Sequence, residues 1–178
     1  VPILVFPTQD AMSDNFENFG MIDAVADDLA RGRIQLFCVD TVDTETWSNI
    51  WGDKEWRARR QEAYYGYIID EVLPFLHKEN RSGRLPIAAG CSLGGLHAAI
   101  VFFRRPDLFD GVLSLSGVYD AKFFTDGWMN ETLYDNSPLD FLAHMPADHP
   151  YIDLYNRRRI VLCVGQGRWE EEGRRTTA

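Results

Sequence analysis

The feature that most constrains the fold of this chain is the segment Gly90–Gly94, whose sequence GCSLG fits the pattern Gly-x-Ser-x-Gly. The apolar run at 85–90 predicts a buried strand before the serine, and the apolar segment 93–103 predicts a helix that is covered on nearly every face. A serine between a strand and a helix lies on a reversal so tight that glycines are needed two positions before and after it. The pattern therefore predicts a strand, a strained turn that presents the serine, and a buried helix, in that order.

The same alternation of apolar strands and helices continues along the chain. Further apolar runs predict strands at Pro2–Phe6, Ile34–Val39, Gly111–Ser116 and Arg159–Val164. Helical spacing predicts helices over Met21–Leu29 and Tyr64–Phe75, and segment 117–158, with three prolines, predicts a long irregular connection. Buried strands that alternate with helices are typical of an α/β fold, so we expect a mostly parallel central sheet with helices on both faces in a three-layer sandwich.

Composition narrows the classes of protein to which the chain can belong. Its 178 residues are 46% hydrophobic, which supplies the core of one domain. The net charge of -9 argues against a broad basic face, so we expect no nucleic-acid partner. No apolar run approaches the roughly 20 residues of a membrane helix, so we expect no membrane association. The chain has three cysteines, too few for a disulfide framework, which favours a reducing compartment, the cytoplasm.

Ser92 is the candidate nucleophile of this pattern. The amide of Leu93 opens the predicted helix, where it has no helical acceptor and where the helix dipole favours negative charge. An amide in this position can stabilise the oxyanion of a tetrahedral intermediate beside the nucleophile. Cys91 is expected to be a core residue, because only the apex side chain of such a turn points into a pocket and its neighbour packs backward.

On these motifs the chain resembles the α/β-hydrolase-fold serine esterases of the antigen 85, esterase D and enterochelin-esterase-like group. The resemblance covers most of the chain and rests on Val5–Thr8 leading into Phe16–Met21, on Gly90–Ala99, on Phe103–Asp110 and on Val164–Gly167. It implies that Ser92 forms an acyl-enzyme, that Leu93 supplies one oxyanion-hole amide and that Gln9, in the turn after the first strand, supplies the second. We expect a small-molecule ester as substrate, with no cofactor and no metal ion.

The resemblance also implies an acid after the fifth predicted strand, since the order in this fold is serine, acid, histidine. There the segment 165–169 runs into Glu170, Glu171 and Glu172. Glu171 matches the family position best, and Glu170 is the near alternative. A solvated acidic start to a helix is the competing interpretation, because carboxylates are favoured at helix N-termini.

No histidine occupies the position at which the resemblance implies the base, which would follow one more strand. His97 is expected to be a core residue of the buried helix, because it lies five residues after Ser92 and points along the helix face. His144 and His149 lie in the long irregular segment, and a base supplied by one of them or by a neighbouring subunit is the alternative that vigorous hydrolysis would reveal. We therefore expect residues 1–178 to form a single α/β-hydrolase domain that is truncated at both edges of its sheet.

Three hypotheses for function remain open at this point. The leading one is a carboxylic-ester hydrolase with weak or no turnover, because its catalytic histidine lies outside the chain. An acyltransferase would use the same Ser92 and differ only in its acceptor. A non-catalytic α/β module would instead bind a small acyl ligand or a partner, including a second copy of the chain paired through open sheet edges.

Overall fold

The apolar runs of the sequence pair into one five-stranded sheet in a computed structural model that describes residues 1–168 and 170–177. The strands are Pro2–Phe6 (β1), Gln35–Cys38 (β2), Ile87–Cys91 (β3), Gly111–Leu115 (β4) and Arg159–Cys163 (β5). Their order across the sheet is β2-β1-β3-β4-β5, and all neighbouring strands are parallel. The predicted parallel α/β sheet is thereby confirmed, with small shifts in the strand bounds.

Helices connect the strands, and several of them are short. They are Asn15–Asn18 (α1), Met21–Ala24 (α2), Ala26–Ala30 (α3), Lys54–Tyr67 (α4), Leu73–Asn80 (α5), Leu93–Arg104 (α6), Glu131–Asp135 (α7), Pro138–Ala143 (α8), Tyr151–Tyr155 (α9) and Glu171–Thr177 (α10). A π-helical turn, Ile68–Val72, joins α4 to α5, and a 3-10 helix spans Ala121–Thr125. The helix predicted over 21–29 is interrupted at Val25, whose φ of -113° lies outside the helical range. No helix in the described ranges has both the length and the apolar character needed to cross a bilayer.

The central helix α6 forms the core because it is apolar on all sides. Every residue from Leu93 to Phe103 is buried, and α6 packs across β1, β3 and β4. Beneath it lie Val112 and Ser114 of β4, which are 1% and 0% exposed. Burial of large apolar side chains contributes about 2 kcal/mol each, so this layer fixes the position of the turn from which α6 starts.

The opposite face of the sheet is only partly covered. Leu113 and Leu115 alternate with the buried residues of β4 and remain 38% and 36% exposed. Together with Phe16 and Phe19, from the short helical segment after β1, they line an apolar groove of about 320 Å³. The helices on this face are too short to span the sheet. Within the described part of the chain, the apolar side chains of this face therefore remain partly exposed to solvent.

The C-terminal end of α6 is fixed to α4 by an ion pair. Arg104 donates from both terminal nitrogens to the Glu62 carboxylate, each at 2.8 Å, and Asn136 donates to the same carboxylate at 2.7 Å. Burial tends to raise the pKa of Glu62, but the hydrogen bonds from Arg104 and Asn136 outweigh it and hold that pKa below its ordinary value. The pair therefore stabilises the fold while Glu62 is ionised.

Replacing Glu62 by glutamine is expected to lower the free energy of unfolding by about 1 kcal/mol at neutral pH, a modest value because the Glu62 side chain is 37% exposed. The pKa of Glu62 is lowered in the folded state, so the contribution is present above the ordinary glutamate pKa. It is lost as the pH falls through the lowered value. Urea titrations of parent and variant should therefore converge in acid.

A matched control is Glu55→Gln, which removes the exposed pair of Glu55 with Arg59 at 3.2 Å. We expect it to change stability by less than about 0.5 kcal/mol. Equal stability of the Glu62→Gln variant and the parent at neutral pH would contradict the assigned role of the pair.

Candidate active site

Ser92 occupies the reversal between β3 and α6 in a conformation that few L-residues adopt. Its φ is 58° and its ψ is -123°. Its amide donates to the carbonyl of Leu115 at 2.8 Å, and its carbonyl accepts from the amides of Gly95 and Leu96. These bonds hold the strained backbone in place, and Ser92 lies exposed at the carboxyl edge of the sheet. Its hydroxyl has no hydrogen-bond partner within the part of the chain that the structure describes.

Two glycines make this reversal possible. A Cβ on Gly90 would collide with the backbone of Gly94, and a Cβ on Gly94 would collide with the carbonyl oxygens of Phe6 and Pro7. Both contacts would be shorter than 3.0 Å, which real Cβ atoms essentially never show. The glycine pattern read from the sequence thus corresponds to two backbone approaches, one within the turn and one between α6 and the end of β1.

Two backbone amides near this turn, those of Leu93 and Gln9, have no hydrogen-bond acceptor among the described residues. Leu93 is the first residue of α6, so its amide has no carbonyl one helical turn earlier. Gln9 is exposed in the turn after β1, which the close approach of Gly94 brings to the start of α6. Neither amide donates a hydrogen bond to another described residue. The structure therefore leaves both sequence-predicted donors available at the same edge of the sheet.

Of the glutamates considered for the acid, Glu170 has the more ordered carboxylate. It accepts hydrogen bonds from the Ser116 hydroxyl, from the Gly167 amide at 2.7 Å and from the Gly165 amide at 3.1 Å. The bonds from Ser116 and Gly167 hold the pKa of Glu170 below its ordinary value. Glu171 instead begins α10 with its side chain exposed, and its carboxylate has no ion-pair or hydrogen-bond partner among the described residues.

Ser116 is a site residue that sequence reasoning missed. Cys91, Leu115 and Cys163 end adjacent strands in register. Ser92 and Ser116 therefore emerge side by side. Ser116 also has a positive φ, 53°, and its amide donates to the Cys163 carbonyl at 2.7 Å. Its position as the polar last residue of the strand predicted over 111–116 was the available signal.

Cys91 points away from α6 and lines the apolar groove on the other face, as expected for the neighbour of an apex residue. It is exposed rather than buried in the core, because that face is only partly covered. Burial of part of the thiol, and then the negative charge of Glu170, raise the pKa of Cys91. The thiol therefore stays protonated at neutral pH and is a poor rival to Ser92.

Among the described residues, none of the four histidines forms a hydrogen bond with Ser92. His97 is 1% exposed in the core, with Nε2 2.8 Å from Oδ1 of Asp43. His77 is exposed on α5, His144 contacts the carbonyl of Asp140, and His149 accepts from the amide of Tyr151. Across 1–168 and 170–177, no cluster of three or more His, Cys, Asp or Glu side chains is arranged to hold a metal ion.

The arrangement of strands and helices is similar to that of solved serine hydrolases and esterases. A ferulic acid esterase is 16% identical with a TM-score of 0.60, over 99% of this chain and 81% of that one. The fluorophosphonate-binding serine hydrolase FphF of Staphylococcus aureus is 14% identical with a TM-score of 0.61, over 99% and 82%. At identities this low, the structural similarity establishes the fold alone. It confirms the predicted α/β-hydrolase fold.

The enterobactin esterase of Shigella flexneri is 21% identical with a TM-score of 0.59. The match covers 98% of this chain but 41% of that protein, so the chain corresponds to only part of it. A search of curated proteins gives no match.

The sequence itself matches a family model over nearly its whole length. That model is the Esterase family, and it matches residues 2–178. The match confirms the resemblance that the serine turn and its flanking segments indicate. The chain therefore belongs to the Esterase family, a family of hydrolases that act on ester bonds.

Proposed function

We propose that this protein hydrolyses carboxylic esters through an acyl-enzyme formed on Ser92. The observation that carries the proposal is the strained, exposed Ser92 between β3 and α6, directly followed by the free amide of Leu93. A backbone held in a sparsely populated conformation is costly, by about 1–3 kcal/mol, and such strain clusters at active sites. Here it presents a hydroxyl beside an amide that can bind an oxyanion.

The reaction follows from this placement. The Ser92 oxygen attacks the ester carbonyl carbon and passes its proton to a base, and the carbonyl oxygen becomes an oxyanion bound by the amides of Leu93 and Gln9. Collapse of this intermediate breaks the bond to the alcohol, which leaves with the proton. Water then attacks the acyl carbon, and the second collapse releases the carboxylic acid and restores the serine.

We propose Glu170, rather than Glu171, as the acid of this site. Its three hydrogen bonds fix the carboxylate beside the ends of β4 and β5, and its lowered pKa keeps it ionised at neutral pH. An ionised, fixed carboxylate is what is needed to orient an imidazole and stabilise its protonated form. Glu171 faces solvent at the start of α10, where it has the character of an ordinary helix N-terminal carboxylate.

The base is not assigned, because none of the four histidines is hydrogen-bonded to Ser92 among the described residues. Turnover by this chain alone is expected to be slow, since loss of a triad member removes several powers of ten in rate. Free imidazole added to the assay can take the proton of the serine. Hydrolysis and acyl transfer share every residue named here, so product analysis with an added alcohol distinguishes them.

Covalent labelling tests Ser92. A fluorophosphonate probe, with imidazole present, is expected to modify Ser92 because the probe mimics the tetrahedral intermediate at the oxyanion amides. Intact-mass and peptide mass spectrometry should show one adduct on the peptide that contains Ser92. The Ser92→Ala variant should lose the adduct, and Ser82→Ala, which alters an exposed loop serine, should keep it. Labelling of the Ser92→Ala variant at the parental rate would refute the assignment.

A matched pair of variants tests the acid. Glu170→Gln is expected to reduce imidazole-assisted hydrolysis of p-nitrophenyl acetate at least tenfold, because a neutral amide cannot stabilise an imidazolium. Glu171→Gln should stay near the parental rate. Because the pKa of Glu170 is lowered, the parent should stay active below the ordinary glutamate pKa of about 4.3. The quantity to compare across pH is the rate divided by the concentration of unprotonated imidazole. A larger loss in Glu171→Gln would reverse the assignment.

A further inference from the structure

A buried acid–histidine pair lies in the core outside the reaction just described. Asp43 and His97 are each 1% exposed, and Nε2 of His97 lies 2.8 Å from Oδ1 of Asp43. A carboxylate only accepts hydrogen bonds, so Nε2 carries the proton and donates it. The other ring nitrogen, Nδ1, lies 3.5 Å from the side-chain amide nitrogen of Gln61. Both nitrogens of the ring thus face polar side chains within the core.

The second oxygen of Asp43 reaches the turn that carries Gln9. Oδ2 of Asp43 accepts from the amide of Asp10 at 3.4 Å, and Asp10 has a positive φ of 57°. Two neighbouring hydrogen bonds join the same two segments: the Thr41 hydroxyl donates to the Ala11 carbonyl at 3.3 Å, and the Ser13 amide donates to Asp40 at 2.8 Å. The turn after β1 is therefore tied to the segment after β2.

His97, the other member of the Asp43–His97 pair, belongs to α6, the helix that follows Ser92. His97 lies on α6, and its ring stacks on Phe6, the last residue of β1, with centroids 5.8 Å apart. Tyr64 packs edge-on against the same ring at 5.1 Å. The single carboxylate of Asp43 thus bridges α6 and the turn, the two elements that carry the Leu93 and Gln9 amides.

We propose that Asp43 is a positioning residue that sets the separation of the two oxyanion-hole amides, with His97 holding its carboxylate in place. This inference rests on the proposed function, because it takes Gln9 and Leu93 as the donors. Donors from separate elements must be held within about 0.5 Å of the productive geometry to stabilise an oxyanion. A link through one buried carboxylate supplies that rigidity, while neither Asp43 nor His97 touches the substrate.

Hydrogen exchange of backbone amides, followed by mass spectrometry, tests the positioning without requiring turnover. Asp43→Asn keeps the size of the side chain but leaves one oxygen to serve two donors. Within 9–11 the hydrogen-bonded amides are those of Asp10 and Ala11. We expect these two to exchange about tenfold faster, with α6 unchanged, and labelling of Ser92 by the fluorophosphonate probe to slow about tenfold.

Two substitutions of His97 test the same link even if the Asp43→Asn variant does not fold. His97→Gln retains an amide N–H near the position of Nε2 and is expected to keep the slow exchange at 9–11. His97→Leu removes the donor and is expected to behave as Asp43→Asn does. The control is Glu62→Gln, which loosens the far end of α6 and should leave both exchange at 9–11 and labelling unchanged.

Unchanged exchange at 9–11 in Asp43→Asn and His97→Leu would overturn the proposal, as would faster exchange spread evenly over the whole chain. Failure of the proposed function gives a different pattern, in which Ser92→Ala is labelled like the parent. Loss of labelling in Ser92→Ala together with unchanged exchange at 9–11 would leave the serine assignment standing and remove the positioning role of Asp43.

Discussion

The structure depends on one close backbone approach, between the start of α6 and the end of β1. Gly94 lies so near the carbonyls of Phe6 and Pro7 that any side chain at this position would collide with them. This approach lets α6 pack across β1, β3 and β4, and it brings the turn after β1 beside Ser92. The core packing and the geometry of the site are therefore set by the same contact, so a substitution of Gly94 cannot disturb one and spare the other.

The sequence predicted those parts of the fold whose signals are local. Apolar runs and glycine spacing within about a dozen residues indicate the buried strands, the reversal at Ser92 and the apolar helix α6. The fold class followed from the order of these elements. The interruption at Val25 was missed because a short helix is decided by tertiary contacts, which override the weak preference of the sequence.

The placement of the candidate site residues was predictable where it depends on chain order and not where it depends on pairing across the sheet. The placement of Ser92 and Leu93 at a strand-to-helix reversal follows from one motif. The choice between Glu170 and Glu171 does not, because the two are adjacent and only the folded turn shows that Gly165, Gly167 and Ser116 donate to Glu170. Likewise Asp43 and His97 are 54 positions apart, and no spacing rule connects them.

The strained turn at Ser92 depends on parts of the chain that are far apart in the sequence. The amide of Ser92 is held by Leu115 of β4, and the helix that follows is seated against β1, which lies some 85 residues earlier in the chain. Contacts of such long range carry the entropy cost of closing large loops. The backbone conformation proposed to activate Ser92 therefore exists only once β1, β3 and β4 have paired, and a partly unfolded chain lacks it.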